Sequence, residues 1–368
     1  MGAAARRRRP RTAAHSGDGH RRAREAELAA DLAADARRGH RGRVAQGRRD
    51  GGRRGAPTTL VVAGARAAAR RGGPGGRVSE VFTEPTEVTV AGGPVRVYTG
   101  GQRGPVLLLL HGAMLDTAAG VWRRVGPALA GEHRVVAVDL PRHGGSRPWR
   151  GVLDDAFFRR FLPALLDALA LPSVVVIGLS MGAGIGIGAA LDHPDRVRGL
   201  VAAGPGGLGA TRPPQLGTWA ALHTPGLLRA TSFVLARFPR LIATSMAGQL
   251  TAGRHTADFD AIVADATAEA RAKNRHGEPA LDDWQVHAYG PRAMRLDLLP
   301  ALADLSVPTL WLRGANDPLV SAEVMAAAHA ATPGSRLVTV PDAGHIVPYD
   351  QPAAFTAAVT EFLAALPD

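Results

Sequence analysis

A serine stands between two glycines, each two residues away, in Gly-Leu-Ser-Met-Gly at 178–182, directly after the apolar run Val-Val-Val-Ile. A strand that turns sharply into a helix forces the residue at the turn into a strained backbone conformation, and it leaves no room for side chains two positions away. Such a turn raises the hydroxyl of Ser180 above the carboxyl edge of a sheet and beside the first N–H groups of a helix. These features predict that Ser180 is a nucleophile.

A serine nucleophile needs a histidine as general base and a carboxylate that orients the imidazole. After a strand–turn–helix serine, the partners follow in the order carboxylate, then histidine. Asp317 comes just after the apolar run Pro-Thr-Leu-Trp-Leu, and His345 comes shortly after Leu-Val-Thr-Val. We therefore predict Asp317 as the acid and His345 as the base. Asp342 is a competing carboxylate, which we expect to bond to the backbone of its own loop.

Apolar runs alternate with helical patterns over most of residues 105–366, which is typical of a parallel sheet covered by helices on both faces. Strands are predicted at 105–112, 134–141, 173–178, 198–204, 308–314 and 335–340, and a hairpin at 87–101. Helices are predicted at 351–366 and at 153–171, where Phe157, Phe161, Leu165 and Leu169 share one face. Residues 206–305 carry helical patterns and no strand signal, which predicts a helical insertion above the carboxyl edge of the sheet.

Six segments of the chain resemble the α/β-hydrolase family. They are LLHGAM (109–114), VDLPRHGGS (138–146), GLSMG (178–182), HPDRV (193–197), LRGANDPLV (312–320) and DAGHIVPYDQP (342–352). The resemblance covers residues 78–368 and implies a mostly parallel, eight-stranded sheet with a helical cap after the sixth strand. We accordingly expect the core at 78–205 and 306–368 and the cap at 206–305.

Acyl transfer also requires N–H donors for the oxyanion of the tetrahedral intermediate. The N–H of Met181 directly follows the nucleophile, and the resemblance implies Ala113 as the second donor, with Met114 as an additional candidate. We expect His111, His143 and Asp139 to hold loops in place rather than to react. No cofactor is predicted, because acyl transfer through a serine needs none. No metal is predicted either, since the four cap histidines (His223, His255, His276 and His287) lack the spacing of metal ligands.

The glycine-rich stretch 173–191 has two competing interpretations. It is nearly long and apolar enough for a membrane span, but it combines a strand with a helix and is followed at once by Asp-His-Pro-Asp. Gly184, Gly186 and Ala189 match the spacing of a dinucleotide-binding turn. They begin six residues past the strand, however, and no acidic residue ends the next strand. We therefore retain the nucleophile turn.

The net charge of +12 belongs to the N-terminal segment, because residues 1–77 hold 20 Arg against 6 Asp and Glu, whereas the remainder holds 24 basic and 26 acidic residues. We expect residues 1–77 to be a disordered tail rich in Arg, Gly and Ala. A basic arm for nucleic acid or lipid and a twin-arginine signal at Arg53 and Arg54 are the alternatives. For the folded domain we expect no nucleic-acid partner and no membrane span.

The absence of cysteine fits a reducing compartment, so we expect a cytoplasmic protein. Lys273 is the only lysine, which we interpret as a coding bias.

These residues predict a serine hydrolase that cleaves an ester, thioester or lactone through an acyl-enzyme. Hydrolysis of a carbon–carbon bond, or perhydrolysis, is the alternative on the same residues. Of these two, the carbon–carbon reaction is disfavoured, because Ile346 follows His345 where the carbon–carbon branch usually has Trp. A receptor-like ligand-binding protein that keeps the triad is the alternative of another class. Apolar cap residues suggest a small-molecule substrate with an apolar acyl or alkyl part; they are Trp219, Leu222, Leu227, Leu228, Phe233 and Phe238.

Overall fold

A computed structural model of the chain describes Phe82 and residues 84–367. The predicted tail, residues 1–77, lies outside the described part. Eight strands form one sheet in the order β1-β2-β4-β3-β5-β6-β7-β8. Their bounds are β1 Thr86–Val90, β2 Gly93–Gly100, β3 Val106–Leu110, β4 Arg134–Val138, β5 Val174–Leu179, β6 Val197–Ala203, β7 Thr309–Gly314 and β8 Arg336–Val340. The hairpin strands β1 and β2 run antiparallel to their neighbours, and all other pairs are parallel. The predicted eight-stranded, mostly parallel sheet is thus confirmed.

Helices connect the parallel strands and cover both faces of the sheet. In the core they are α1 Ala118–Val121, α2 Val125–Ala130, α3 Asp155–Ala168, α4 Met181–Asp192, α10 Ala322–Ala331, α11 Val347–Asp350 and α12 Pro352–Ala364. Two buried apolar clusters result, one on each face, because each all-buried central strand sends alternate side chains to opposite sides.

The buried side of α3 differs from the predicted face. The fully buried residues are Phe158, Phe161, Leu162, Leu165 and Leu166, whereas Phe157 and Leu169 are only partly buried. Phe161 and Leu165 are thus buried as predicted, but the buried side extends toward Phe158 and Leu162 rather than toward Phe157 and Leu169. Phe157 instead packs at the edge, with its ring against Trp149 and stacked on Phe161.

Between β6 and β7 the chain forms helices and two short 3-10 turns. The helices are α5 Gln215–Leu222, α6 Leu227–Arg237, α7 Pro239–Gln249, α8 Phe259–Arg275 and α9 Asp283–Ala288, and the 3-10 turns are Gly253–His255 and Leu299–Asp304. We propose to treat residues 206–305 as the cap of the core. Of the helices in residues 84–367, none combines the length and the apolar character needed to cross a membrane.

Candidate active site

Ser180 occupies the turn between β5 and α4 in a backbone conformation that is rare for a residue with a side chain, with φ 53° and ψ −112°. The flanking glycines explain how the turn closes. A Cβ on Gly182 would lie 2.4 Å from the carbonyl oxygen of Leu110, and a Cβ on Gly178 would lie 2.5 Å from the backbone of Ala183. Both contacts are too short for any other residue. The side chain of Ser180 makes no cap bond to its own helix, so its hydroxyl is not used as a structural cap.

His345 and Asp317 meet beyond the carboxyl ends of β8 and β7. Nδ1 of His345 lies 3.0 Å from Oδ2 of Asp317, and both side chains are buried. Burial raises the pKa of Asp317, but hydrogen bonds from His345 and from the N–H groups of Leu319 and Val320 outweigh it and hold that pKa below its usual value. An ionised Asp317 fixes the imidazole with its Nε2 edge pointing away from the carboxylate.

The side chain of the competing carboxylate, Asp342, bonds neither to the imidazole nor to the backbone of its own loop. Asp342 is exposed, has a φ of 51°, and its backbone carbonyl accepts a bond from the Gln351 side chain. The structure therefore pairs His345 with Asp317 and not with Asp342.

Ser180 and His345 line one mostly apolar cavity. Its walls come from the β3–α1 loop, the β5–α4 turn, the β7–α10 and β8–α11 loops and the cap helices α6 and α7. The aliphatic lining residues are Leu115, Leu235, Ile242, Met246, Leu319 and Ile346. None of the six predicted apolar cap residues lines this cavity, and three of them, Leu227, Phe233 and Phe238, are instead exposed to solvent. Leu319 is 53% exposed, so the cavity reaches the surface beside it.

Met114 differs from the two predicted oxyanion donors, Met181 and Ala113, because its N–H already has a hydrogen-bond acceptor. The N–H of Met181 is the first of α4, whose first hydrogen bond runs from the N–H of Gly184 to the carbonyl of Ser180. Ala113 lines the same cavity as Ser180. The N–H of Met114, by contrast, donates to Oδ2 of Asp282 at 2.7 Å. The prediction of Met114 as an additional donor is therefore wrong, because a cap carboxylate already occupies its N–H.

Asp282, which sequence reasoning missed, ties the cap to the loop that carries Ala113. Besides the Met114 N–H, its carboxylate accepts a bond from Nζ of Lys273 at 2.6 Å and lies 3.3 Å from Nε2 of His143. Burial raises the pKa of Asp282, but Lys273 and His143 outweigh it, and the pKa falls well below its usual range. Lys273, only 2% exposed, is the single lysine of the chain. Its uniqueness in the sequence was the only available signal.

The histidines and the aspartate that were expected to hold loops are buried in such positions. Nε2 of His111 accepts a bond from the N–H of Leu140 at 2.9 Å, and its Nδ1 lies 2.7 Å from the carbonyl of Gly112, to which it donates. Burial lowers the pKa of His111 well below its usual value, so the ring is neutral. Asp139 accepts bonds from the N–H groups of Ala118 and Gly145, which joins two loops beneath the cavity.

Asp116 is a further buried carboxyl group on the cavity wall. Its side chain packs so closely on Gly112 that a Cβ there would lie 2.3 Å from Oδ2. Burial is the largest influence on this group and raises the pKa of Asp116 to about 6, although His143 and His345 act in the opposite direction. Asp116 therefore changes its charge close to neutral pH.

The chain matches the family model for the alpha/beta hydrolase fold over residues 105–352. It is 32% identical over 274 residues to a pimeloyl-[acyl-carrier protein] methyl ester esterase of Stenotrophomonas maltophilia, covering 72% of this chain and 95% of that protein. It is 26% identical over 271 residues to a 2-hydroxy-6-oxo-6-phenylhexa-2,4-dienoate hydrolase of Burkholderia cepacia, covering 71% and 88%.

Among solved structures, a thermophilic esterase from Thermogutta terrifontis superimposes with a TM-score of 0.61 at 26% identity, covering 77% of this chain and 99% of that one. The sheet order, the turn at Ser180 and these similarities agree. The chain belongs to the alpha/beta hydrolase family and is a hydrolase.

Proposed function

We propose that this protein is a serine hydrolase that cleaves a carboxylic ester of a small molecule through an acyl-enzyme. One observation carries the proposal. Ser180 has a strained backbone, its side chain makes no capping bond, and it lines one cavity with His345, whose Nδ1 is hydrogen-bonded to Asp317. Esterases among the similar proteins support an ester, and the 2-hydroxy-6-oxo-6-phenylhexa-2,4-dienoate hydrolase among them keeps carbon–carbon hydrolysis as the alternative.

In the proposed reaction, Oγ of Ser180 bonds to the carbonyl carbon while its proton passes to Nε2 of His345. The carbonyl oxygen becomes an oxyanion that accepts hydrogen bonds from the N–H groups of Met181 and Ala113. The bond to the alcohol oxygen then breaks, and His345 returns the proton to that oxygen. Water repeats the sequence on the acyl-enzyme and releases the acid, while Asp317 stabilises the imidazolium in both halves.

The aliphatic lining of the cavity favours an apolar acyl or alkyl group next to the ester. A panel of p-nitrophenyl esters of rising acyl length, with a thioester and a lactone, measures this preference as kcat/KM. We expect butyrate to exceed acetate, because the longer chain covers more of the apolar wall. Hydrolysis of a vinylogous diketone at a rate above that of every ester would favour carbon–carbon cleavage. Tight binding without turnover would favour a receptor-like role.

Two serine variants separate catalysis from helix capping. Ser321 caps α10 by accepting a bond from the N–H of Val324 at 3.3 Å, whereas Ser180 makes no such bond. Ser321→Ala should lower stability by about 1 kcal/mol and keep labelling by a fluorophosphonate. Ser180→Ala should abolish labelling and turnover without that loss of stability. Full labelling of Ser180→Ala would refute the proposed nucleophile.

A further inference from the structure

The outward side of α6 and the start of α7 expose large apolar side chains to solvent. Phe233 is 58% exposed, Phe238 51% and Leu241 48%, and Leu227 and Val234 follow at 41% and 38%. We call these five residues the α6–α7 face. Leu227, Ala230 and Val234 follow helical spacing along one exposed side of α6, and Phe233, three residues after Ala230, borders that side.

This clustering is unusual for a surface helix, whose outward side is normally polar. Within the described residues, eight large apolar side chains are exposed, and five of them belong to the α6–α7 face. Single exposed apolar residues are common on soluble proteins, but a contiguous group marks a surface that contacts something apolar.

The same part of the cap is strongly cationic. Residues 206–257 contain five arginines and no aspartate or glutamate. Arg237 and Arg240 are exposed beside the apolar residues, and Cζ of Arg237 lies 5.5 Å from the ring centroid of Phe238. The neighbouring helix α8 packs on α6; of its three carboxylates, Asp265 and Glu269 are paired with arginines of the core, and Asp260 is exposed in its first turn.

An apolar stripe bordered by arginines and free of carboxylates complements a surface that is anionic and apolar at once. We propose that the α6–α7 face binds peripherally to an anionic lipid bilayer, with Phe233, Phe238 and Leu241 among the acyl chains and Arg237 and Arg240 at the phosphates. Amphipathic helices with aromatic and leucine side chains on one side and arginines beside them bind membranes in this way.

Charge disfavours the two occupants that the chain itself could supply. Residues 1–77 carry 20 Arg against 6 acidic residues, so this segment would be repelled by the arginines of the face. A second copy would bring the same arginines to the contact.

The inner side of α6 and α7 supplies Leu235, Ile242 and Met246 to the active-site cavity, so a bilayer at the outer side would bring apolar molecules close to that cavity. The proposal does not depend on which bond is hydrolysed.

The absence of cysteine from the chain allows one label at a chosen position of the full-length protein. In the first variant, Phe238→Cys, an NBD fluorophore is attached to the α6–α7 face. The matched control carries the same fluorophore at Val152→Cys, a surface position of the core domain that is 52% exposed. Vesicles of phosphatidylglycerol and phosphatidylcholine should raise and blue-shift the emission of the label at 238 alone, and brominated acyl chains should quench it. Any binding by residues 1–77 is common to both proteins, so the difference between them reports the face.

A second measurement tests the side chains themselves. Phe238→Ser combined with Arg237→Ser should lower flotation with the anionic vesicles at least tenfold, while the melting temperature and the hydrolysis of a water-soluble short ester stay unchanged. Vesicles of phosphatidylcholine alone should bind weakly to both proteins. The proposal is overturned if the label at 238 does not respond to anionic vesicles or responds no more than the label at 152. It is equally overturned if the face captures an acidic protein but no vesicle.

Discussion

Replacing Asp282 by Asn tests whether the cap positions the proposed oxyanion loop. The carboxylate of Asp282 accepts bonds from Nζ of Lys273 at 2.6 Å and from the N–H of Met114 at 2.7 Å. Asn keeps the size of the side chain and removes its charge. Lys273, 2% exposed, is then left without a counter-charge. The Met114 N–H, one residue from Ala113, loses its charged acceptor.

The two consequences have different sizes. Removing one partner of a buried ion pair costs about 3–5 kcal/mol, and we expect the lower end because the amide oxygen of Asn still accepts one bond. Removing an oxyanion donor outright lowers kcat about 10²–10³-fold. Here the donor at Ala113 is displaced rather than removed, so we expect a loss of kcat of about 10-fold to 100-fold, with KM changed less than about threefold.

Lys273→Met is the matched control, because it breaks the same ion pair but keeps the bond from Met114 to Asp282. We expect it to lower the melting temperature while kcat stays within about threefold of the unchanged protein. The assay is turnover of p-nitrophenyl butyrate below the lower melting temperature, with unfolding followed by calorimetry. Equal losses of kcat in the two variants, or an unchanged kcat in Asp282→Asn, would refute the positioning role.

Three further predictions concern single groups or segments. Asp317→Asn should lower turnover about 10³–10⁴-fold by allowing the wrong imidazole tautomer, whereas Asp342→Asn should cost less than about tenfold, and the reverse ranking would contradict the proposed acid. Burial raises the pKa of Asp116 to about 6, above its unfolded value of about 3.9, so the folded protein loses stability as pH rises through this interval. Asp116→Asn should therefore stabilise the protein by up to about 3 kcal/mol more at pH 8 than near pH 4, as measured by denaturant unfolding. An equal change in the free energy of unfolding at both pH values would argue against the raised pKa. Deleting residues 1–77 should leave turnover and melting temperature unchanged, because the segment has no aromatic side chain to pack on the core, and a fall of several degrees would contradict this.

The parts of the fold that follow from local sequence were predictable. The strand before Ser180 is an unbroken apolar run, and the glycines at 178 and 182 mark a turn that only glycine permits. The pairing of His345 with Asp317 also followed, because the carboxyl ends of neighbouring parallel strands meet at one edge of the sheet.

Contacts between distant segments were not predictable in the same way. Met114 was an additional candidate through the family resemblance alone, and the acceptor that occupies its N–H, Asp282, is 168 residues away in the chain. The buried side of α3 was predicted only in part: Phe161 and Leu165 are buried, but Phe158 is buried in place of its equally apolar neighbour Phe157.

The buried charges of α8 show most clearly why pattern alone was insufficient. Glu269 and Lys273 are four residues apart, a spacing that ordinarily indicates an exposed pair on the surface of a helix. Both are instead buried, since Arg147 from the core bonds to Glu269 and also to Glu278, while Lys273 bonds to Asp282. Buried ion pairs add little net stability compared with apolar packing, but removing one partner leaves the other charged and buried. Arg147 joins the core to Glu269 and Glu278 of the cap in this way, and Asp282, which pairs with Lys273 inside the cap, bonds to the loop beside Ser180 through the N–H of Met114.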